Sequence, residues 1–270
     1  MPPVDILASV ISNVQLSPDY NVLTLEAPEV GHLTEPGQFV MLKPGRGNEP
    51  LLRRPFSVFE VIRDDIGTVR AISVLNKRAG LTTNMLYELA TGDRVSCLGP
   101  LGTPFTPPTV GEAWMVAGGV GLAPFWTLAE ALTVAEIPTT LFYGARSAQE
   151  LFYLEFFGRL GARLVLSTED GSMGVKGRVT VPLEASLADL PGPASVTVYA
   201  CGPEPMLEAV ARLSTRYGQP SEVSVERIMG CGLGGCYSCV VPVIAEGGKT
   251  QYVRSRIGGP VFDGAAIAWD

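Results

Sequence analysis

The chain has 270 residues, of which 46 % are hydrophobic and 17 % charged, and its formal net charge is −7. This length is enough for two domains with their own cores, and the acidic balance argues against a nucleic-acid surface, which needs a basic stripe. The single histidine, His32, nearly excludes a histidine-based triad or a multi-histidine metal site, and we expect it to be an ordinary loop residue.

No apolar run reaches the roughly 18 residues that a transmembrane helix needs. The first residues also lack the basic and apolar regions of a signal peptide. We therefore predict a cytoplasmic protein without membrane contact, a location that fits cysteines which serve metal chemistry rather than disulfides.

The strand pattern of residues 1–107 predicts an antiparallel β-barrel. Short apolar strands separated by Gly and Pro turns are expected over 21–26, 38–42, 55–62, 69–75 and 93–98. One helix is predicted over 82–90, between the last two of these strands.

Residues 108–226 predict a doubly wound α/β domain with a parallel sheet. Strands expected over 114–117, 140–143, 163–167, 196–200 and 222–225 alternate with helices over 122–135, 148–160 and 204–217. The remaining residues, 227–270, contain three cysteines and two further strands, over 240–244 and 250–254. They predict a small appended module.

The barrel half carries two motifs suited to an anionic, aromatic ligand. Arg53 is followed by Arg54-Pro55-Phe56-Ser57 at the start of a strand, where a guanidinium can face a pyrophosphate and a ring can face a flat heterocycle. An ordinary strand start would show the same residues. Gly80, Thr82 and Thr83 open the predicted helix with hydroxyl and backbone N–H groups, which suits an anion. A simple threonine N-cap is the alternative.

The α/β half has two Gly-containing turns after predicted strands. Gly118, Gly119 and Gly121 allow a ligand phosphate to approach the backbone, and Pro124 suits a first helical turn. The third glycine of the G-x-G-x-x-G fingerprint is replaced by Pro124, so a generic βα turn remains an alternative.

The second turn, Cys201-Gly202-Pro203, follows the strand at 196–200. Because ligands of open α/β sheets bind at the carboxyl ends of the strands, Cys201 is placed where a nicotinamide would lie. A buried, inert thiol would pack equally well there.

Cys231, Cys236 and Cys239 have the spacing C-x4-C-x2-C in a Gly-rich run. This is the spacing of plant-type [2Fe–2S] proteins, which also use a fourth, more distant cysteine. No cysteine follows Cys239, and the other two, Cys97 and Cys201, lie far upstream. Buried or unligated thiols are the alternative explanation.

In this order, the motifs resemble the ferredoxin–NADP reductase superfamily and, within it, the electron-transfer subunits of dihydroorotate dehydrogenase B. The resemblance covers essentially the whole chain and implies that FAD, held by the barrel domain of residues 1–107, and NAD(P)H are bound together with a [2Fe–2S] cluster. It implies FAD contacts from the Arg54 to Ser57 motif, Val74 and the Gly80 to Thr83 turn. It implies pyridine-nucleotide contacts from Gly118, Gly119, Gly121, Pro124, Cys201, Gly202 and Pro203, and metal ligation by Cys231, Cys236 and Cys239.

The same resemblance implies a partner, an FMN-containing dehydrogenase of pyrimidine biosynthesis, in a hetero-oligomer. Electrons would pass between NAD(P)H, FAD, the cluster and this partner, in either direction. No acid or base is needed for hydride transfer, which agrees with the near absence of histidine, and no catalytic residue is predicted. The alternatives are a cluster-less NAD(P)H–flavin reductase and a non-catalytic scaffold subunit.

Arg256 stands where the family has its fourth cluster cysteine. Three explanations are open: a cluster held by three thiolates and another ligand such as Ser255, Arg256 or a partner group, a lost cluster, or zinc, which usually takes four protein ligands. We favour a retained cluster.

The choice between NAD and NADP is open as well. Arg146 and Ser147 suit a 2′-phosphate, whereas Glu169 and Asp170 oppose one. The resemblance points to NAD.

Overall fold

The computed structural model describes residues 2–45, 49–108 and 111–269. Its first part has seven strands and two short helices, which are β1 (Val4–Gln15), β2 (Tyr20–Glu26), α1 (Pro28–Gly31), β3 (Phe39–Pro44), β4 (Arg54–Ser57), β5 (Glu60–Arg63), β6 (Val69–Lys77), α2 (Leu81–Tyr87) and β7 (Arg94–Leu101). The strands form one antiparallel sheet in the order β4-β3-β7-β1-β2-β6-β5. Apolar side chains of these strands fill its interior.

The chain closes the curl of this sheet at Val58 and Phe59. Strand β4 pairs with β3 at one edge, and β5 pairs with β6 at the other. Val58 donates its N–H to Gln38 and Phe59 donates to Ser73, so the segment passes from one edge to the other. The predicted barrel is confirmed, but the single strand predicted over 55–62 is two strands because the segment changes partners.

Strand β1 is absent from the sequence prediction. Its exposed positions include Leu7, Ile11 and Val14, so apolar residues occur on both faces. This obscures the alternation by which a half-buried strand is recognised.

The second part is an α/β unit. It contains β8 (Glu112–Gly118), α3 (Phe125–Val134), β9 (Thr139–Ala145), α4 (Leu154–Arg159), β10 (Arg163–Thr168), β11 (Val175–Lys176), α5 (Thr180–Ala188), β12 (Val196–Cys201), α6 (Glu204–Arg216) and β13 (Ser221–Ser224), with 3-10 turns at Gly119–Leu122 and Ala148–Glu150. These strands run parallel in the order β11-β10-β9-β8-β12-β13, as predicted. Helix α6 buries Leu207, Val210, Ala211 and Ser214, the i, i+3, i+4, i+7 stripe of an amphipathic helix.

Two details differ from the sequence prediction. The helix predicted over 148–160 is a 3-10 turn followed by α4, because Tyr153 between them adopts a left-handed conformation with φ of 59°. Strand β11 and helix α5 are additional elements. They follow a turn in which Gly171 and Gly174 have positive φ, and this loop-like composition hides the elements next to it.

The last part contains β14 (Val240–Ile244), β15 (Thr250–Arg254), α7 (Ser255–Gly258), β16 (Val261–Asp263) and a 3-10 turn at Gly264–Ala266. Strands β14 and β15 form the predicted hairpin. Strand β16 returns to the α/β sheet, where it pairs antiparallel with β13 and places Val261 opposite Ser224. Within the described residues, none of the helices combines the length and the apolar composition that crossing a bilayer requires.

Candidate functional site

A cavity of about 1020 Å³ lies between the barrel and the α/β unit. Both halves contribute to its wall, including residues of the sequence motifs: Arg54, Pro55, Phe56, Ser57, Gly80, Thr82, Thr83, Gly118, Gly119, Gly121, Cys201, Gly202 and Pro203. The wall continues through 224–227 to Met229, two residues before the first cysteine of the loop. The structure therefore brings the two barrel motifs and the two α/β turns to one cleft, beside the cysteine segment.

The two adjacent arginines of the barrel motif have different environments. Arg53 forms a 2.6 Å ion pair with Asp5 and donates to the Ser96 hydroxyl, which ties two barrel strands together. Arg54 has no carboxylate partner among the described residues, and its only side-chain hydrogen bond goes to the carbonyl of Arg53. Arg54 is therefore the guanidinium available to an anion in the cleft.

The turn before α2 is capped in a way that the sequence did not reveal. Gly80, not a threonine, is the N-cap residue, and the Thr83 hydroxyl accepts hydrogen bonds from the backbone N–H groups of Ala79 and Gly80. The simple threonine N-cap is therefore wrong. Val74 lies in the barrel core and is fully buried, whereas its neighbour Leu75 lines the cleft.

The two nucleotide turns of the α/β unit touch each other. A Cβ atom on Gly121 would lie 2.0 Å from the carbonyl oxygen of Cys201, so only glycine allows this approach. A Cβ on Gly118 would meet the sulfur of Met206 at 2.7 Å. Pro124 is outside the cavity wall and is the N-cap residue of α3.

The two upstream cysteines are neutral thiols at pH 7. Burial raises the pKa of Cys201 to about 12 and, likewise, that of Cys97 to about 12. Cys201 therefore presents an uncharged S–H at the carboxyl end of β12, where it lines the cleft. Cys97 lies inside the barrel.

Charged side chains from neighbouring strand ends lie at one part of the cleft wall. Arg146 follows β9, Glu169 follows β10, and Arg178 precedes α5. Asp170 accepts hydrogen bonds from the N–H and hydroxyl of Ser172, which lower its pKa, so its carboxylate is held within its own loop. Of this pair, Glu169 is thus the carboxylate that lines the cleft.

In the cysteine loop, Cys231 and Cys236 lie within hydrogen-bonding reach of each other. The Ser238 hydroxyl, 3.1 Å from the Cys236 sulfur, is the main cause that lowers the pKa of Cys236 to about 6. Burial opposes the shift at Cys231, but the backbone N–H groups of Cys236 and Leu233 hold its pKa below the ordinary value. These environments favour thiolates, the form that binds metal.

Cys239 is set apart from the other two thiols. It is buried in an apolar cluster with Phe39, Met41 and Leu98 of the barrel. Within residues 2–45, 49–108 and 111–269, no three His, Cys, Asp or Glu side chains are close enough together to hold a metal ion. The three thiols are therefore arranged as one close pair, Cys231 and Cys236, and one separate cysteine, Cys239.

Two arginines after β15 hold the loop. Arg256 donates from Nε to the carbonyl of Gly232 at 2.8 Å, and Arg254 donates to the carbonyl of Gly234. Burial lowers the pKa of Arg256, and the nearby thiols of Cys231 and Cys239 act in the opposite direction. The position expected for a fourth cysteine thus carries a cation bonded to the loop backbone.

The donor chemistry of this segment fits an iron–sulfur cluster. Three cysteine sulfurs are the soft ligands that such clusters use; the pKa of Cys236 is lowered to about 6, and that of Cys231 lies below its ordinary value. Ser255, between the two arginines, has a fully buried hydroxyl that finds no hydrogen-bond partner among the described residues. The large cleft likewise fits an extended dinucleotide, since ligand pockets of 300–1,000 Å³ already hold drug-sized molecules.

Each of the three segments of the chain matches a known domain family. Residues 7–105 match the oxidoreductase FAD-binding domain, residues 115–212 the oxidoreductase NAD-binding domain, and residues 226–268 the iron-sulfur cluster binding domain of dihydroorotate dehydrogenase B. The electron transfer subunit of dihydroorotate dehydrogenase B (NAD(+)) from Desulforamulus reducens is 35 % identical over 264 residues, covering 97 % of this chain and 98 % of that protein. The chain belongs to the family of dihydroorotate dehydrogenase B electron transfer subunits.

Two further relatives agree with this membership. The subunit of the same name from Geobacillus thermodenitrificans is 35 % identical, covering 94 % of this chain and 95 % of that protein. A solved structure described as an NADH-dependent reduced ferredoxin-NADP oxidoreductase of flavin-based electron bifurcation superimposes with a TM-score of 0.83 at 28 % identity, covering 98 % of this chain and 91 % of that one. The expected family, fold, FAD and NAD domains and iron–sulfur domain of this electron transfer subunit are confirmed.

Several residues of the cleft wall are absent from the sequence prediction. Tyr20, Lys77, Glu150 and Arg178 line the cleft, but they lie in no recognisable motif. Glu150 and Arg178 follow strands of the parallel sheet, so the rule that ligands bind at the carboxyl ends of strands was the available signal. The residue roles and the boundaries predicted at 107/108 and 226/227 stay predictions.

Proposed function

We propose that this chain is an NAD(P)H-dependent flavin oxidoreductase subunit that passes electrons from the cleft through an iron–sulfur cluster on the cysteine loop to a dihydroorotate dehydrogenase-like catalytic subunit. The observation that carries the proposal is the shared cleft. One cavity is lined by the flavin motif around Arg54, by the nucleotide turn around Gly121, and by Met229 next to the loop. The residues that would hold a hydride donor and a flavin thereby lie in one cleft, next to the cysteine segment.

When bound, FAD supplies a centre that accepts two electrons with a hydride and releases them one at a time. The chain's residues bind and orient. Arg54 pairs with a diphosphate, and the Gly121 turn brings the nucleotide to the end of β8. Cys201 stays a neutral thiol because its pKa is about 12, so this side chain adds no negative charge that would oppose a second negatively charged ligand.

The surface of the cysteine loop supports transfer to a partner protein. Ile228, Leu233 and Tyr237 of this segment are exposed, and Ile257 packs against Gly234 while remaining half exposed. Exposed apolar side chains gathered around a redox loop are typical of a protein contact surface. We propose that the catalytic subunit covers this surface in a cytoplasmic complex.

Anaerobic reduction tests the proposal. The protein is reconstituted with FAD, iron and sulfide, and NADH is added while the flavin absorbance is followed. We expect stoichiometric bleaching of the flavin and about two irons and two acid-labile sulfides per chain. A protein that binds flavin but is not reduced by NADH or NADPH, although dithionite reduces it, would contradict the proposal and favour a scaffold subunit.

A second function, a flavin reductase without a cluster, is favoured by one observation. The loop supplies three cysteines and holds the cation of Arg256 beside two of them. In that case NADH bleaches the flavin normally, but the anaerobically reconstituted protein retains no iron. Iron and sulfide content therefore separates the two functions, whereas flavin reduction alone does not.

A further inference from the structure

The cysteine loop supplies three of the four protein ligands that a [2Fe–2S] cluster takes. Cys97 does not supply the fourth. On strand β7 its neighbour Leu98 contacts the loop, since a Cβ on Gly232 would lie 3.5 Å from the Leu98 side chain. Successive side chains of a strand point to opposite faces, so Cys97 faces the barrel interior, in whose core it is buried.

Ser255 lies directly opposite Cys239. The register of the last hairpin pairs Val240 with Arg254, and the next pair is joined by a 2.8 Å hydrogen bond from the Ser255 N–H to the Cys239 carbonyl. This backbone hydrogen bond makes Ser255 and Cys239 neighbours across the end of the hairpin, where Ser255 is the first residue of α7. Both side chains are buried, with exposures of 0 % for Ser255 and 4 % for Cys239.

Within the part of the chain that the structure describes, the Ser255 hydroxyl has no hydrogen-bond partner in this buried position. Buried hydroxyls are almost always paired, because an unsatisfied one loses its contacts with water and gains nothing in return. A ligand that binds the Ser255 oxygen removes this deficit. The neighbouring buried sulfur of Cys239 makes a metal centre the group that would contact both atoms.

We propose that the Ser255 oxygen is the fourth protein ligand of the cluster, which gives three thiolates and one alkoxide. The inference rests on the proposed function. The four donors then form two neighbouring pairs, Cys231 with Cys236 and Cys239 with Ser255, which suits two irons that each take two protein ligands. As the three Fe–S bonds and one Fe–O bond form, the hydroxyl proton and any proton still carried by a thiol leave to solvent, and no electron is transferred.

Arg256 is a positioning residue in this arrangement. A guanidinium has five N–H donors and no acceptor lone pair, so it does not ligate iron as a cation. Its Nε–H is already used by the Gly232 carbonyl. It fixes the loop and places positive charge next to Cys231 and Cys239.

The test compares Ser255→Ala and Ser255→Cys with the wild-type full-length protein. Each is reconstituted anaerobically with FAD, iron and sulfide. We measure iron, acid-labile sulfide, flavin content, the EPR spectrum of the reduced cluster and its midpoint potential. Ser214→Ala is the matched control, because Ser214 is another fully buried serine without a hydroxyl partner, on α6.

We expect Ser255→Ala to lose more than half of its iron and sulfide, with flavin content unchanged. Ser255→Cys retains the cluster, with altered g values and a more positive midpoint potential, because a thiolate is a softer ligand than an alkoxide and stabilises ferric iron less. Ser214→Ala keeps wild-type iron and the wild-type EPR spectrum. The retained cluster in Ser255→Cys shows that loss in Ser255→Ala is not a folding defect.

Wild-type iron, sulfide and EPR signals in Ser255→Ala would overturn the assignment while leaving the proposed function intact. If Arg256→Cys instead converts the EPR signal and Ser255→Cys does not, the fourth ligand position is at residue 256 and the assignment is also wrong. A wild-type protein that binds FAD and is reduced by NADH but takes up no iron would refute the cluster itself, and with it this inference.

Discussion

The Nε atom of Arg256 donates a 2.8 Å hydrogen bond to the carbonyl oxygen of Gly232, the residue that follows the first cysteine of the loop. Gly232 has a positive φ of 65°, so this bond fixes a left-handed turn that a side chain would strain. The same guanidinium lies beside the thiols of Cys231 and Cys239. One side chain therefore sets both the shape and the local charge of the loop.

Replacement of Arg256 by alanine should lower the midpoint potential of the cluster and accelerate iron loss to a chelator. Removal of a nearby cation makes an added electron less favourable, and the loop loses a backbone tether. A redox titration and a chelation time course measure the two effects. Arg254→Ala is the control, since it removes the tether to Gly234 from the same segment. Equal potentials for Arg256→Ala and the wild type would contradict the electrostatic role.

Arg54→Ala should weaken FAD binding about 10- to 100-fold, the equivalent of a lost charge-assisted hydrogen bond of about 1.5–3 kcal/mol. Flavin fluorescence titration of the apoprotein gives the dissociation constant. Arg53→Ala provides the contrast, because it breaks the ion pair with Asp5 and should lower the melting temperature while FAD affinity stays near wild type. The reverse pattern would exchange the roles of the two arginines.

Gly121→Ala should raise the dissociation constant of NADH at least tenfold, because the new Cβ would stand 2.0 Å from the Cys201 carbonyl and push the two turns apart. The flavin of this variant should still be reduced by dithionite. Gly158→Ala, where a Cβ meets nothing within 4 Å, is the control and should behave as wild type. NADH-driven bleaching at wild-type rates in Gly121→Ala would show that this turn does not contact the nucleotide.

Glu169→Gln should improve the use of NADPH relative to NADH about fivefold, since a carboxylate facing a 2′-phosphate costs about 1 kcal/mol of repulsion in a partly solvated site. Arg146 and Arg178 remain in the wall to attract the phosphate. The ratio of kcat/KM for the two nucleotides measures the change. An unchanged ratio would place the 2′ position elsewhere in the cleft.

Glu204 and Arg227 form a two-bond ion pair at 2.7 and 2.9 Å that joins the start of α6 to the cysteine segment. The hydrogen bonds from Arg227 lower the pKa of Glu204 below the ordinary value of 4.5. Because the folded-state pKa is depressed, the stabilisation is present above pH 4.5 and is lost as the pH falls through the lowered value.

Thermal melting of the wild type and Glu204→Gln between pH 7 and pH 3 tests this linkage. Since the carboxylate is half exposed, the pair contributes at most about 1 kcal/mol at pH 7. The difference in melting temperature should vanish toward pH 3. Glu208→Gln, which removes an i, i+4 surface pair from the same helix, is the control. A difference that persists at pH 3 would show that the carboxylate acts without its charge.

The elements that could be predicted from the sequence are those with a regular spacing of apolar residues and the turns that contain glycine. Helix α6 was predictable because its buried residues recur at helical spacing, and the turn at Gly121 because it follows a strand whose residues 113–117 are apolar and buried. Strand β1 was not, since apolar residues on both faces erase its alternation. The split of 55–62 into β4 and β5 depends on partners that are distant in sequence, which no local pattern contains.

In the site, too, local motifs were predictable and contacts between distant segments were not. Motifs identified the residues of the cleft from Arg54 to Pro203, yet Val74 and Pro124 lie outside its wall and Arg178 lies in it. The motif selected Arg54, but the reason that its neighbour Arg53 is not available, the ion pair with Asp5 across the sheet, is absent from any local pattern. The orphaned hydroxyl of Ser255 is a property of burial and of the hairpin register, so a linear pattern does not show it.

The cysteine segment leaves the α/β sheet after Ser224 and re-enters it at Val261, and these two residues face each other in the same ladder. In topological terms, the whole module is an enlarged hairpin connection whose two ends are both paired at one edge of the α/β sheet. The module is therefore joined to the sheet by two strands and not by a single linker. The position of the cysteine loop relative to the cleft is therefore set by the sheet, and a partner protein would meet the loop at that position.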